Sequence, residues 1–297
     1  DGNTTASITV GTLSGFVGSE TVTASAVGTF DDKNAGSRTA TAVYSLINGA
    51  NGGLGSNYSL ADTTHSASIN KAVLSITGSS AANKTYDGNT DASITVGTLG
   101  GFVTGETVTA TAVGTFDDKN AGSRTATAVY TLANGTGLAS NYSLANTTHS
   151  ATIDKVVLTF LSGSESTAAN KIYDGNTSAS ITVGTLGNLV GSETLAVTAV
   201  GTFDNKNAGT RMATAVYTLA DGSNGGLADN YSLADTTHSA TINKAALTIT
   251  GSSAADKTYN GNTSANITVG TLSGFVGTET VTATAAGTFD DKNAGSR

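Results

Sequence analysis

The 297-residue chain contains no cysteine and no proline. Without cysteine, the chain can form neither a disulfide framework nor a thiolate metal site. Without proline, glycine and asparagine must shape the tight turns, because both residues tolerate the positive backbone φ that such turns demand. No apolar run approaches the roughly 20 residues that span a bilayer, so the sequence predicts no membrane-spanning segment.

Charged residues are also scarce, at 12% of the chain, and apolar residues make up 38%. Threonine, serine, glycine, asparagine and alanine take their place, which predicts a neutral polar surface. The net charge is −8 without any run of like charge, and this argues against a nucleic-acid or anionic-membrane partner. The chain opens at Asp1 without a start methionine or a signal-type segment, and we expect it to be an excerpt of a longer protein.

The sequence is dominated by one phrase that recurs along the chain. The string DGNT, which becomes NGNT in its last occurrence, begins at Asp1, Asp87, Asp174 and Asn260. The period of 86 or 87 residues is long enough for a small domain with its own core. We therefore predict four tandem domains, called copies 1 to 4 below, at residues 1–71, 72–155, 156–244 and 245–297.

Two of these copies are incomplete in the sequence. Copy 1 lacks the counterpart of residues 72–86, including its first strand, and copy 4 stops at Arg297, where copies 2 and 3 continue. Neighbouring copies join directly at Asn70-Lys71, Asp154-Lys155 and Asn243-Lys244. Joints this short leave little hinge freedom, so we expect a stiff rod.

Within a copy, apolar and polar residues alternate with the period of half-buried β-strands. In copy 2, Val108, Gly114 and Phe116 share one face of such a segment, and threonines occupy the other. The alternation resumes from Arg124, and shorter apolar pairs bring the expectation to roughly six or seven strands per copy. No helical stripe occurs. The predicted fold is all-β: an elongated tandem array of small β-sandwich-like modules, either Ig-like or β-grasp-like.

Several phrases follow one another in a fixed order. Copy 2 reads NKTYDGNT from Asn83, then GTL, GTFDDKNAGSR, NYSL and a closing ATIDK. This order resembles the YDG-type tandem repeat of large bacterial adhesins, which are filamentous-haemagglutinin-like and biofilm-matrix surface proteins. The resemblance implies a structural stalk or fibre on the bacterial cell surface or in secreted matrix, built from further copies of the same repeat. Such a stalk projects a distal adhesive region and contributes to cell adhesion or to a biofilm.

Two other functions stay open on the residues alone. One is a repeated carbohydrate-binding module that gains avidity for surface glycans from its copy number. The other is the subunit of a self-assembling extracellular filament, in which neighbouring chains complete the partial domains. The tyrosines at the YDG-type turn bear on the first function, since an exposed ring can stack on a sugar. We favour a ring that packs and a hydroxyl that bonds the backbone for Tyr86, Tyr173 and Tyr259.

An enzyme is not expected. The three histidines, His65, His149 and His238, occur once each in copies 1 to 3. General-base catalysis needs a partnered imidazole, yet the acidic residue three positions before His65 is replaced by asparagine before His149. One histidine per copy also argues against a multi-histidine metal site, and we predict no catalytic residue.

Calcium is the one cofactor that the sequence raises. Asp31, Asp32 and Asn34 precede Gly36 in the phrase FDDKNAG, and calcium prefers hard oxygen ligands on a tight loop. Lys33 lies inside this run, and copy 3 carries an asparagine in place of the second aspartate. We favour the alternative, a turn held by local pairs among aspartate, lysine and arginine.

Two further sets of residues are candidates for modification or pairing. The phrase NYS fits the acceptor pattern for N-glycosylation, which marks Asn57, Asn141 and Asn230. The lysines two residues before the turn tyrosines are placed to pair with a nearby carboxylate, although exposed pairs of this kind contribute little. These lysines are Lys84, Lys171 and Lys257.

Overall fold

The computed structural model describes residues 1–296, so Arg297, the last residue of the predicted copy 4, lies outside the described residues. All the longer regular elements are β-strands, which confirms the all-β prediction. The helical elements of the described residues are three 3-10 turns at Gly55–Asn57, Ala139–Asn141 and Ala228–Asn230. Within residues 1–296, no helix has the length and apolar character needed to cross a membrane.

The chain divides into two compact units, Asp1–Asp154 and Lys155–Arg297. The first unit begins with a four-stranded antiparallel sheet in copy 1, whose strands pair in the order of the sequence. These strands are Thr5–Ala6, Val22–Phe30, Gly36–Asn48 and Thr63–Ile69.

Copy 2 completes the first unit with ten strands, of which four are only two residues long. The strands are Ala72–Thr77, Ser80–Ala81, Lys84–Thr85, Asp91–Ala92, Ile94–Thr95, Thr98–Gly100, Val108–Phe116, Gly122–Asn134, Tyr142–Leu144 and Thr147–Asp154. The count exceeds the six or seven strands expected, because the two-residue strands are too short to show an alternating pattern.

Two sheets carry most of copy 2. The larger has the strand order Lys84–Thr85, Thr147–Asp154, Gly122–Asn134, Val108–Phe116, Asp91–Ala92. In the smaller, Ala72–Thr77 lies between Thr98–Gly100, to which it is antiparallel, and Tyr142–Leu144, to which it is parallel. A separate antiparallel pair joins Ser80–Ala81 to Ile94–Thr95.

The long hairpin of copy 2, formed by Val108–Phe116 and Gly122–Asn134, follows the sequence pattern closely. Val108 pairs with Asn134 and Phe116 with Ala126, without a bulge between them. Val108, Gly114 and Phe116 are buried, and the threonines between them are exposed, as the alternation predicted. Gly114 must lack a side chain, since a Cβ there would lie 2.4 Å from the carbonyl oxygen of Ala92.

One apolar cluster of copy 2 includes residues from both of its sheets. Leu74, Val108 and Tyr142 are its buried members, and six partly buried apolar residues pack around them. In copy 1, residues 12–14 and 58–60 form no strands, although their counterparts in copy 2 do. The reason is that the strand that pairs with both in copy 2, Ala72–Thr77, has no counterpart in residues 1–71.

The second unit repeats this architecture. Copy 3 has ten strands in the pairing pattern of copy 2: Val156–Phe160, Thr167–Ala168, Lys171–Ile172, Ser178–Ala179, Ile181–Thr182, Leu186–Gly187, Leu195–Phe203, Gly209–Asp221, Tyr231–Leu233 and Thr236–Asn243. Copy 4 has three two-stranded antiparallel pairs. Their strands are Thr248–Thr250 with Thr271–Ser273, Ser253–Ala254 with Ile267–Thr268, and Ser264–Ala265 with Gly287–Thr288.

Candidate functional site

The turn that carries the phrase YDGNT is built around a lysine. In copy 2, the Lys84 ammonium donates hydrogen bonds to Asp87 Oδ1 at 2.8 Å and to the backbone oxygen and Oδ1 of Asn89, both at 2.9 Å. Its Nζ also lies 5.7 Å from the centre of the Phe116 ring, which is the geometry of a cation–π contact. We call Lys84, Asp87, Asn89 and Phe116 the lysine cage.

The backbone of the cage is shaped by the side chains of the turn. Asp87 Oδ1 accepts the Asn89 amide at 3.1 Å, and Asn89 Oδ1 accepts the Asp91 amide at 2.8 Å. Gly88 sits between them at φ +83°, a left-handed conformation that favours glycine. The turn is therefore fixed by two successive side-chain-to-backbone bonds and closed by the ammonium.

Copies 3 and 4 repeat the cage with one informative change. Lys171 donates to Asp174 Oδ1 at 2.7 Å and faces Phe203 at 5.7 Å. In copy 4, asparagine replaces the aspartate, and Lys257 donates instead to the backbone oxygens of Asn262 and Ser264, at 2.7 and 2.9 Å. The cage thus keeps its lysine and its ring without the carboxylate.

The contacts in the cage lower the pKa of the Asp87 carboxyl. Burial disfavours the ionised form of Asp87, but hydrogen bonds from Lys84 and from the Asn89 amide, together with the Lys84 charge, hold the pKa of its carboxyl below the ordinary value. The Asp87 side chain remains 46% exposed and the Lys84 side chain 18% exposed. The predicted lysine–carboxylate pairing is therefore present in copy 2, and its lysine is largely enclosed.

The calcium candidate residues occupy a self-contained turn. Asp32 accepts the Asn34 backbone amide at 3.1 Å and the Asn34 side-chain amide at 2.9 Å, and Arg38 Nη1 lies 3.3 Å from its other oxygen. Asp31 Oδ1 accepts the Thr39 amide at 3.1 Å. The hydrogen bond from the Asn34 side-chain amide is the largest of the effects that hold the Asp32 pKa below its ordinary value. Across residues 1–296, no group of three His, Cys, Asp or Glu side chains is placed to hold a metal ion.

Each histidine hydrogen-bonds a threonine two residues before it. In copy 2, Thr147 Oγ1 lies 2.7 Å from both His149 Nε2 and the Tyr130 hydroxyl. The Ser79 hydroxyl adds a contact of 2.6 Å to Tyr130 and 3.2 Å to His149. The same threonine–histidine contact, at 2.7 Å, recurs in copies 1 and 3. This polar row on neighbouring strands links the sheet to the chain near residue 79, a role that the sequence pattern did not reveal.

Asn141, one of the three glycosylation candidates, joins copy 2 to copy 1. Its Oδ1 accepts the Ala35 amide at 2.9 Å, and its Nδ2 donates to Asn34 Oδ1 at 2.8 Å. We call these two bonds the asparagine clamp. Asn57, the counterpart in copy 1, is exposed, whereas Asn230 is buried. Because N-glycosylation modifies Nδ2, a sugar on Asn141 would displace half of the clamp.

The tyrosine of each NYS phrase bonds a glutamate of its own copy. The Tyr142 hydroxyl donates to Glu106 Oε2 at 2.7 Å and accepts the Val103 amide at 3.2 Å. Glu106 also lies 3.9 Å from Lys33 of copy 1. In copy 3, burial and the bond to Glu193 raise the pKa of Tyr231 to about 12. Glu106 thus contacts both a tyrosine of its own copy and a lysine of copy 1.

In the second unit, a tyrosine of copy 3 contacts copy 4. The Tyr173 hydroxyl of copy 3 donates to the Glu279 carboxylate of copy 4, where the prediction placed a bond to the backbone. This bond is the first cause that raises the Tyr173 pKa. Next to it lies a cavity of about 270 Å³, lined by residues of both copies, including Asn207, Leu247 and Val276.

The comparison with known families matches the chain four times in tandem. A family model described as YDG domain matches residues 1–65, 70–150, 154–238 and 243–297. The YDG-type tandem repeat identified from the ordered phrases is thereby confirmed. No curated protein matches the sequence.

Proposed function

The chain belongs to the YDG domain family, and we propose that its tandem domains form the stalk or fibre of a secreted bacterial surface adhesin. In this proposal the domains hold a distal adhesive region away from the cell and contribute to cell adhesion or to a biofilm matrix. They perform no catalysis and need no cofactor. The site of action is extracellular, at the bacterial surface or in secreted matrix.

The asparagine clamp is the observation that carries this proposal. Copies 1 and 2 are separated by only Asn70 and Lys71 between the strands Thr63–Ile69 and Ala72–Thr77. Across this joint, Asn141 bonds residues of copy 1 that precede it by more than 100 positions. A short connection with bonds across it restricts hinge motion, which is the property that a stalk requires.

Small-angle X-ray scattering of the full chain tests the extended arrangement. A single compact globule of this length would have a radius of gyration of about 19 Å, from the usual scaling with chain length. A row of domains, each about 30 Å across, would instead give a value of roughly 30 Å. A measured radius near the compact value would contradict the stalk.

A glycan array with the same chain tests the role. A spacer should bind no glycan at micromolar protein concentration. A repeated carbohydrate-binding module should bind glycans, and its apparent affinity should fall when copies are removed. Concentration-dependent growth in mass during sedimentation would favour a self-assembling filament instead. These outcomes separate the stalk from both alternatives raised by the sequence.

A further inference from the structure

We propose that the YDG turn of one copy is the docking surface for a Val-x-x-Glu loop of the next copy. The YDG turn is the segment Tyr173-Asp174-Gly175 in copy 3, and the Val-x-x-Glu loop is Val276–Glu279 in copy 4. This inference rests on the proposed function as a stalk, since it names the surfaces through which consecutive domains hold each other. It assigns the YDG turn a partner within the same chain, namely the following copy.

The Val-x-x-Glu loop has the same local structure in every copy. The glutamate amide donates to the valine carbonyl at 3.1, 2.9, 3.1 and 3.3 Å in copies 1 to 4. This bond closes a tight turn that presents the valine and the glutamate together. A preformed loop can dock with little loss of conformational entropy.

The second unit shows the docking in full. The hydroxyl of Tyr173 donates to the Glu279 carboxylate, and the Tyr173 ring packs against the core cluster of copy 3 that contains Phe203 and Ile242. A Cβ placed on Gly175 would lie 3.1 Å from Val276 Cγ1. Tyr173 thus connects the core of copy 3 to a carboxylate of copy 4. The absence of a side chain on Gly175 leaves room for Val276.

The first unit shows the same approach at its own joint. A Cβ on Gly2, the counterpart of Gly175, would lie 2.9 Å from Val103 Cγ1, so the backbone again admits the valine of the following copy. Glu106, the counterpart of Glu279, faces Lys33 of copy 1 at 3.9 Å. Two joints, each inside one unit, therefore bring the same turn against the same loop.

In copy 4, the turn has the same backbone conformation although no loop is docked on it. Gly261 has φ +81°, nearly the +82° of Gly175, but a Cβ there would meet nothing within 4 Å. Tyr259 is 61% exposed. The turn therefore forms with its glycine whether or not a loop docks, and only the docked copies place that glycine against a valine.

The same observations weigh against a sugar-binding role for the tyrosine. In copy 3, the Tyr173 ring lies against its own core and its hydroxyl is occupied by a carboxylate. A sugar stacks on an open ring face, whereas this ring packs in its own domain and its hydroxyl bonds the next domain. The partner that fits the turn is the next YDG domain.

Spin-label distance measurements on the full chain test the docking. The chain has no cysteine, so Thr214→Cys in copy 3 and Thr271→Cys in copy 4, both on exposed strand positions, give two unique label sites. The test variant combines Tyr173→Phe with Gly175→Ala. The matched control combines Tyr259→Phe with Gly261→Ala. It makes the same two substitutions in a turn of the same backbone conformation, on which no loop is docked.

The unsubstituted chain and the control should give one narrow distance distribution, and the test variant should broaden it. Unchanged amide exchange in Leu195–Phe203 and Gly209–Asp221 would show that copy 3 itself remains folded. Equal distributions in test and control variants would overturn the docking, whatever the scattering and glycan experiments say of the stalk.

Discussion

The lysine cage allows its ion pair and its neutral contacts to be measured separately. Lys84→Met removes three hydrogen bonds and the contact with Phe116, while its apolar stem is kept. A hydrogen bond to a charged group contributes about 1.5–3 kcal/mol, and a cation–π contact contributes about 0.5–1 kcal/mol. Because the Asp87 side chain is 46% exposed, we expect solvent to reduce the sum to about 2–3 kcal/mol for copy 2.

Asp87→Asn should have a much smaller effect. An exposed ion pair contributes about 0.2–1 kcal/mol, and an asparagine oxygen can still accept the Lys84 and Asn89 donors. Copy 4 already carries this change at Asn260, and Lys257 there retains its bonds to backbone oxygens. We therefore expect a loss of about 0.5 kcal/mol.

Hydrogen exchange of the full chain, followed by mass spectrometry, measures both losses within one molecule. Peptides from the long hairpin of copy 2 report the opening of that copy, and the equivalent peptides of copy 3 serve as an internal control. Lys84→Met should accelerate exchange about 30- to 150-fold, and Asp87→Asn about twofold. If Asp87→Asn matched or exceeded Lys84→Met, the reasoning that neutral acceptors dominate the cage would be wrong.

Asn141→Ala should accelerate exchange at the Ala35 amide, which the clamp protects, whereas Asn57→Ala at the exposed counterpart should not; equal rates would contradict the clamp. The contribution of Tyr231 to the stability of copy 3 should be fully present below the unfolded tyrosine pKa of about 10 and be lost as the pH rises through about 12, and Tyr231→Phe should flatten this dependence in unfolding titrations. The melting midpoint should not change with calcium or with chelator, because Asp32 is already bonded within its turn; a rise with calcium would restore the metal site.

Local features of the fold could be predicted from the sequence. The alternation from Val108 to Phe116 was sufficient to predict a strand, its buried face and its exposed threonines, because a strand's side chains alternate with a fixed period of two. The Asn and Gly turns were predictable for a similar reason, since their backbone conformation is a property of a few adjacent residues.

Contacts across long sequence separations could not be predicted in this way. The parallel pairing of Ala72–Leu74 with Tyr142–Leu144 joins segments about 70 residues apart, and alternation says nothing about which strands become neighbours. Asn141 carried a glycosylation signal in the sequence, but its contacts with Asn34 and Ala35 depend on the approach of a second copy. The lysine cage lay between these cases: a carboxylate partner was expected, whereas the asparagine and phenylalanine around it were not.

The parallel strand pairs of copy 2 have a consequence for a chain under tension. Ala72–Leu74 runs parallel to Tyr142–Leu144, and Lys84–Thr85 runs parallel to Ile153–Asp154 near the end of the copy. A pull at the two ends of the copy loads these pairs in shear, along the strands, so their hydrogen bonds must fail together. An antiparallel hairpin pulled from its open end fails by unzipping, one bond after another. We therefore expect the force that unravels a copy to be set by these short parallel pairs, and the longer antiparallel hairpin to follow once they have given way.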